Sequence, residues 1–198
     1  MRIIVAVTGA SGSIYGWRLL EKFRSHREKV ETHLILTRSG ERTALLEMGK
    51  TAAQFRALAD LWYPVEDIGC SLASGSYPVD AMVIAPCSIH TMSAVAHGIS
   101  SNLVVRAADV TLKERRRLVL MVRESPLHLG HLRSMAALAE MGAVIAPPVP
   151  SFYHQPQTVA DIVEHSVDRV MALVGVAAED ARSWQGGQRR ETGSEASE

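Results

Sequence analysis

Small hydroxyls, glycines and charged residues gather directly after short apolar runs in this chain. Gly9-Ala10-Ser11-Gly12-Ser13-Ile14-Tyr15-Gly16 follows Arg2–Val7, and Thr37-Arg38-Ser39 follows residues 32–36. Pro86-Cys87-Ser88-Ile89-His90-Thr91 follows residues 81–85, and Arg123-Glu124 follows residues 118–122. The last such cluster is Ser151-Phe152-Tyr153-His154, after residues 143–146. Three of these clusters place hydroxyls where a helix would start. Free N–H groups and the positive end of a helix dipole favour an anion at such a point. The bland alternative is a tight turn that only packs helix on strand.

The first loop is not GxGxxG, and no acidic residue ends the second run to hold an adenosine ribose. A mononucleotide such as FMN therefore suits the chain better than a dinucleotide. Arg123-Glu124 must be solvated or paired, because an isolated buried charge is costly; a rim ion pair is the alternative to a binding role. Arg106 and Lys113 lie seven residues apart, on one face of a helix. Lys113 also opens Lys-Glu-Arg-Arg-Arg, which reads equally as a solvated helix end. His128 and His131 have no carboxylate or cysteine nearby to complete a ligand set, so no metal site is expected. Cys87 lacks a dedicated base and reads as a small buried residue.

The elements that must position these groups are legible from periodicity. Arg2–Val7 and residues 32–36, 81–85, 118–122 and 143–146 are apolar runs suited to strands buried on both faces, with Pro86 expected to break the third. Helical spacing covers residues 14–23, a segment from Thr37 or Ser39 to about Glu47 with Leu45 and Leu46 facing inward, and residues 88–96. It also covers Leu103–Lys113, residues 128–141 with Gly142 as the stop, and residues 158–174. The stretch through Leu61-Trp62-Tyr63 has no regular period. Strands alternating with helices predict an α/β domain with a parallel sheet covered on both faces.

The chain has 198 residues, 47% of them hydrophobic, with Lys+Arg and Asp+Glu both at 21 and a formal net charge of +0. This balance argues against a nucleic-acid or acidic-membrane partner. Near-zero charge and a mean hydropathy of +0.06 suit an oligomer. Two cysteines, not spaced as CxxC, point to a reducing compartment. No run approaches the roughly 20 apolar residues of a membrane span, so a cytoplasmic location is expected. Residues 1–185 read as one domain. Residues 186–198 (GGQRRETGSEASE) are expected to be a disordered polar tail.

Six segments, in order, resemble the UbiX/Pad family of flavin prenyltransferases, long regarded as aromatic-acid decarboxylases. They are TGASGSIYG at 8–16, SGS at 74–76, PCSIHT at 86–91, RAADVTLKERR at 106–116, VRESPLHLGHL at 122–132 and PPVPSFYHQPQ at 147–157. The resemblance runs from residue 2 to about Trp184. It implies a flavodoxin-like, Rossmann-type doubly wound sheet, assembled as a dodecamer with active sites where subunits meet. FMN would be held by Gly9, Ala10, Ser11, Thr37, Ser88, Ile89, His90, Thr91 and Arg123. Thr37 stands where relatives usually carry serine, and the His90 side chain would do no chemistry. Dimethylallyl phosphate would sit among Arg106, Lys113, Arg123, Glu124, Tyr153 and Arg169. The resemblance further implies catalytic roles for Ser11, Glu47, Lys113, Glu124 and Trp184. Glu47 matches a glutamate near flavin N5, although Met48-Gly49 departs from the family pattern after it and obscures the helix end.

The implied reaction joins a dimethylallyl group to N5 and C6 of reduced FMN, with the prenylated flavin passing to a UbiD-like decarboxylase. Arginine and lysine can stabilise a departing phosphate without a metal, and an aromatic face can stabilise an allylic cation. Two other readings share this architecture. One is a flavin-dependent cysteine-peptide decarboxylase, but such enzymes carry Pro-Ala-Ser-Ala-Asn-Thr in place of residues 86–91. The other is a non-catalytic FMN carrier, which has no need of Arg106, Lys113, Arg123 and Arg169. The polar tail lacks the apolar groups that would offset the entropy of ordering it. Truncation after Gly186 is therefore expected to leave flavin prenylation unchanged, as read by mass spectrometry; loss of product would give the tail a role.

Overall fold

The computed structural model describes residues 1–177, so Trp184 and the tail lie outside the described residues. Six parallel strands form one sheet in the order β3-β2-β1-β4-β5-β6. They are β1 (Arg2–Val7), β2 (Glu31–Leu36), β3 (Leu61–Tyr63), β4 (Ala81–Cys87), β5 (Arg117–Val122) and β6 (Val144–Ile145). The strand order reverses beside β1, so the crevice between the ends of β1 and β4 is the topological switch point. This is the doubly wound, flavodoxin-like sheet that the alternation of elements implies.

The helices are α1 (Ser13–Ser25), α2 (Arg38–Met48), α3 (Ala52–Arg56), α4 (Ile89–Ala96), α5 (Leu103–Lys113), α6 (Leu129–Glu140) and α7 (Val159–Leu173). Local chemistry sets their starts. The side chains of Thr37, Ser88, Asn102 and Thr158 each accept from a backbone N–H in the first turn of α2, α4, α5 and α7. On β1 the alternate residues Ile3, Val5 and Val7 face a core layer shared with α1 and α7, while Ile4 and Ala6 face one shared with α4, α5 and α6. Burial on both faces explains why the strand is unbroken apolar sequence rather than an alternating one. Ion pairs from Arg18 to Glu164 (2.6 Å) and Lys22 to Glu164 (2.9 Å) tie α1 to α7. No helix among the described residues is long and apolar enough to cross a membrane.

Three expectations need correction. β4 does not stop at Ala85; it continues through a cis Ala85–Pro86 bond to Cys87, with a register shift against β5. Leu61–Tyr63 is a strand, an edge element too short to show a period, with Trp62 half exposed. Leu45 and Leu46 face outward, at 55% and 78% exposure. The inward stripe of α2 is made instead of Gly40 and Ala44, because the helix presses so closely on β1 that a Cβ on Gly40 would lie 2.6 Å from the Val7 carbonyl.

His33 on β2 is fully buried. Its Nε2 lies 2.9 Å from a Glu31 carboxylate oxygen and its Nδ1 3.0 Å from the Tyr63 hydroxyl. The ionised carboxylate can only accept, so Nε2 carries the proton and Nδ1 accepts from Tyr63. Burial lowers the His33 pKa, and the Glu31 contact offsets this only in part. The unfolded imidazole then takes up a proton first, so this contribution is whole above about pH 6.5 and is lost as pH falls towards the folded pKa. Urea unfolding between pH 8 and pH 5 is expected to show a steeper loss of stability for the wild type than for His33→Leu. Parallel profiles would mean that the folded imidazole protonates as readily as a free one.

Candidate active site

The loops at the carboxyl ends of β1 and β4 are joined by one buried hydroxyl. Thr8, at 1% exposure, donates from Oγ1 to the Pro86 carbonyl at 2.7 Å and accepts from the Ser88 N–H at 2.8 Å. The Thr8 N–H donates to the same carbonyl at 3.3 Å. Ser88 then caps α4, accepting from the Thr91 N–H at 3.3 Å and donating to the Thr91 hydroxyl at 3.1 Å. The Ile89 and His90 N–H groups, in the first turn of α4, keep no acceptor among the described residues. Together with the Ser88 and Thr91 hydroxyls they form a cradle with the chemistry to take a phosphate group.

Close packing brings two further loops to this crown. A Cβ on Gly9 would lie 2.5 Å from the Cβ of Ser39, so the start of α2 rests directly on the first loop. A Cβ on Gly16 would lie 2.4 Å from the Ala85 carbonyl, so α1 presses on β4 just before Pro86. Thr37 holds its place by donating to the Val7 carbonyl at 3.3 Å and capping Gly40 N at 3.0 Å. Gly9, Ala10, Ser11, Thr37 and residues 88–91 therefore share one end of the sheet.

Glu47 reaches the same crown from the far end of α2. Its carboxylate accepts from the Gly12 N–H at 3.1 Å and the Ser13 N–H at 2.9 Å. Partial burial works to raise its pKa, but the Ser11 hydroxyl and the Ser13 and Gly12 N–H groups outweigh burial and hold it below the usual range. It is a carboxylate at neutral pH, held as an acceptor of hydrogen bonds from the first loop. Gly49, with φ of 63°, ends α2 one residue after Met48, so the unusual Met48-Gly49 pair makes an ordinary left-handed helix stop. Beside Ser11 and Glu47 lies an apolar cavity of about 720 Å³, walled by Ile14, Met48, Val159 and Val163.

Arg123 follows β5, its N–H bonded to the Cys87 carbonyl at 3.2 Å. Neither Arg123 nor Glu124 makes an ion pair among the described residues, so this exposed pair is not a rim salt bridge. Cys87 is buried, and burial pushes its thiol pKa up, which settles it as a core residue. The rings of His128 and His131 lie against each other, tilted by 31°, at the start of α6, and no group of three or more side chains that could hold a metal exists among the described residues.

The remaining predicted residues stand elsewhere. Lys113 ends α5 and Arg123 follows β5, so the length of β5, about 16 Å, separates their backbones. Lys113 is ion-paired to Glu114 over Gly75. Arg106, about 10 Å along α5, donates from Nε to the Ala73 carbonyl at 3.2 Å and pairs with Asp109 at 2.7 Å. Tyr153 lies in a turn before α7, its ring 4.1 Å from that of His154 and 6.3 Å from that of His165. Arg169 is one helical turn beyond His165, exposed and without an ion pair among the described residues. One chain thus gathers the crown residues but not Lys113, Tyr153 and Arg169 with them. Two structural features have no signal in single residues. A buried threonine such as Thr8 has no pattern of its own beyond its place in the 8–16 segment, and the Ser74-Gly75-Ser76 loop is legible only as a short motif.

Known proteins share this fold. Residues 1–172 match the Flavoprotein family. The chain is 48% identical over 185 residues to the flavin prenyltransferase UbiX of Neisseria meningitidis serogroup B, covering 93% of this chain and 97% of that protein. A dodecameric, FMN-dependent UbiX-like decarboxylase from Escherichia coli O157:H7 superposes with a TM-score of 0.91 at 44% identity, over 94% of this chain and all of that one. AnUbiX (PadA1), solved with FMN and dimethylallyl pyrophosphate, gives 0.90 at 41% identity, over 94% and 98% of the two chains.

The crown depends on Thr8, and Thr8→Val would keep its shape while stranding the Ser88 N–H. The expected cost is about 1–3 kcal/mol of unfolding free energy for a buried donor left without a partner. Urea denaturation measures it, and an unchanged midpoint would remove Thr8 from the centre of the site.

Proposed function

The chain belongs to the Flavoprotein family and, within it, to the flavin prenyltransferases, and from that premise we propose how its residues divide the reaction. The substrates are reduced FMN and dimethylallyl phosphate. The allylic C–O bond of the donor breaks, phosphate leaves, and the dimethylallyl group becomes bonded to N5 and C6 of the flavin with loss of a proton. FMN supplies the nucleophilic positions; the chain supplies binding, orientation and charge. The product serves a UbiD-like decarboxylase.

The crown would take FMN, with the flavin phosphate on the first turn of α4 and the ring held by Gly9, Ala10, Ser11, Thr37 and Arg123. Glu47, a carboxylate beside Ser11, would receive the proton lost as C6 closes through its position rather than its basicity, since its hydrogen bonds hold its pKa low. The apolar cavity next to Glu47 suits the dimethylallyl chain. Arg106, Lys113, Arg123, Glu124, Tyr153 and Arg169 would hold the donor, and fixed cations would stabilise the phosphate as it departs. No metal is needed in this scheme.

The observation that carries the reading is the separation of two anion-binding sets on one chain. The α4 cradle is all that a flavin carrier needs, yet a second set stands at the other end of β5, around Lys113 and the 74–76 loop. Donor residues spread over both ends of the sheet and the outer face of α7 can meet only where copies of the chain pack together. The exposed Leu45, Leu46, Leu129, Val149, Phe152 and Val159 offer apolar surface for that packing. The reading is therefore a homo-oligomer, a dodecamer as in the Escherichia coli relative. Two unpaired thiols support a reducing, cytoplasmic location.

Anaerobic incubation with FMN, reductant and dimethylallyl phosphate, followed by flavin mass spectrometry, tests the activity directly. Lys113→Ala should keep its flavin but lose product by roughly 30-fold or more, because one cation removed from a partly desolvated phosphate site costs about 2–5 kcal/mol. Ser88→Ala should instead weaken flavin retention by about 0.5–3 kcal/mol. A Lys113→Ala variant that turns over normally would overturn the donor assignment.

A further inference from the structure

Arg116 belongs to none of the groups above, and its guanidinium is committed to one short loop. It donates to the Gly75 carbonyl at 2.7 Å and to the Tyr77 carbonyl at 2.9 Å. The end of α5 aims it there. Arg115 takes a left-handed φ of 57°, and the Arg115 and Arg116 N–H groups fold back on the Leu112 and Thr111 carbonyls, both at 2.9 Å. Lys113 reaches the same loop from the same helix end, its Nζ within 2.6 Å of where a Gly75 Cβ would stand.

The two carbonyl bonds have a consequence for the other side of the loop. A peptide unit is planar and trans, so holding the Gly75 carbonyl on Arg116 turns the Ser76 N–H the opposite way. The Ser74 carbonyl is held by the Tyr77 N–H at 3.3 Å, which turns the Gly75 N–H outward in the same manner. Neither N–H has an acceptor among the described residues, and consecutive free N–H groups make a concavity that suits an anion. The Ser74 and Ser76 hydroxyls, 2.9 Å apart, flank it.

We propose that Arg116 is a positioning residue for the prenyl donor: without touching it, Arg116 holds loop 74–77 so that its free N–H groups and Lys113 meet the donor phosphate together. This rests on the assignment of Lys113 to the donor. A lysine at 116 has its N–H donors on one nitrogen and lacks the planar fork, so it would not hold both carbonyls in the geometry that the two guanidinium nitrogens impose.

The test uses flavin-loaded, reduced enzyme under anaerobic conditions, with dimethylallyl phosphate varied for wild type, Arg116→Lys, Arg116→Ala and Lys113→Ala. Flavin content and Tm are measured on each. Arg116→Ala is expected to raise the KM for donor at least about tenfold, with kcat within about threefold and flavin content at the wild-type level. Arg116→Lys should fall between, and it decides the matter if Arg116→Ala does not yield folded enzyme. Lowered Tm and flavin content with an unchanged KM in the loaded fraction would make Arg116 a packing residue and overturn the proposal. A KM raised in Lys113→Ala but in neither Arg116 variant would overturn it alone. Unchanged KM and kcat in Lys113→Ala would overturn the donor assignment on which it stands.

Discussion

The crown of this protein hangs on a hydroxyl of a single buried threonine. Thr8 closes the gap between β1 and β4 at the switch point, satisfying the Pro86 carbonyl and the Ser88 N–H in a place water does not reach. With Ser88 held at its own N–H, its side chain is free to cap α4, and the first turn of α4 is left facing outward with open donors. The same β1–β4 junction receives α1 through Gly16 and α2 through Gly40, each at a distance that excludes a side chain. Without that closure, the strand ends and helix starts that build the phosphate cradle would have no common frame.

Electrostatics divides the labour between the two ends of the sheet. At the crown, α1 is already supplied with an anion of its own, since the Glu47 carboxylate occupies the Gly12 and Ser13 N–H groups. The first turn of α4 has no such internal anion among the described residues, so its N–H groups, unlike those of the glycine-rich loop, stay open. Away from the crown, at the two ends of α5, Lys113 and Arg106 rest on local carboxylates, Glu114 and Asp109, in pairs that are partly exposed and therefore weakly held. Such pairs keep cations solvated and oriented yet let an incoming dianion compete for them.

Much of the fold was readable from the residues. β1 and α5 run over the very residues that periodicity marked, because a strand buried on both faces is an unbroken β-branched run and α5 carries a strong apolar stripe. The helix starts near Thr37, Ser88 and Thr158 were legible because a capping oxygen is local to the helix it starts, while only the structure chose Thr37 over Ser39 as the cap of α2. β3 was not legible, since three residues cannot display a period. Leu45 and Leu46 are hydrophobic yet face outward, because the close approach of α2 to Val7 demands glycine and alanine on the buried stripe.

The sequence by itself determined the fold class, the crown residues and the family, since each rests on local pattern: apolar runs, capping hydroxyls and motifs read in order. Only the tertiary structure decided that Thr8 joins the two strand ends, that Glu47 is held as a carboxylate, and that Lys113 and Arg123 lie at opposite ends of β5. It alone brought Arg116 onto the Ser74–Tyr77 loop, across about 40 positions of chain. The reason is physical. Periodicity and capping act over one or two turns, but hydrogen bonds between distant loops depend on how a twisted parallel sheet stacks its crossovers, and that geometry is set by packing of the whole domain.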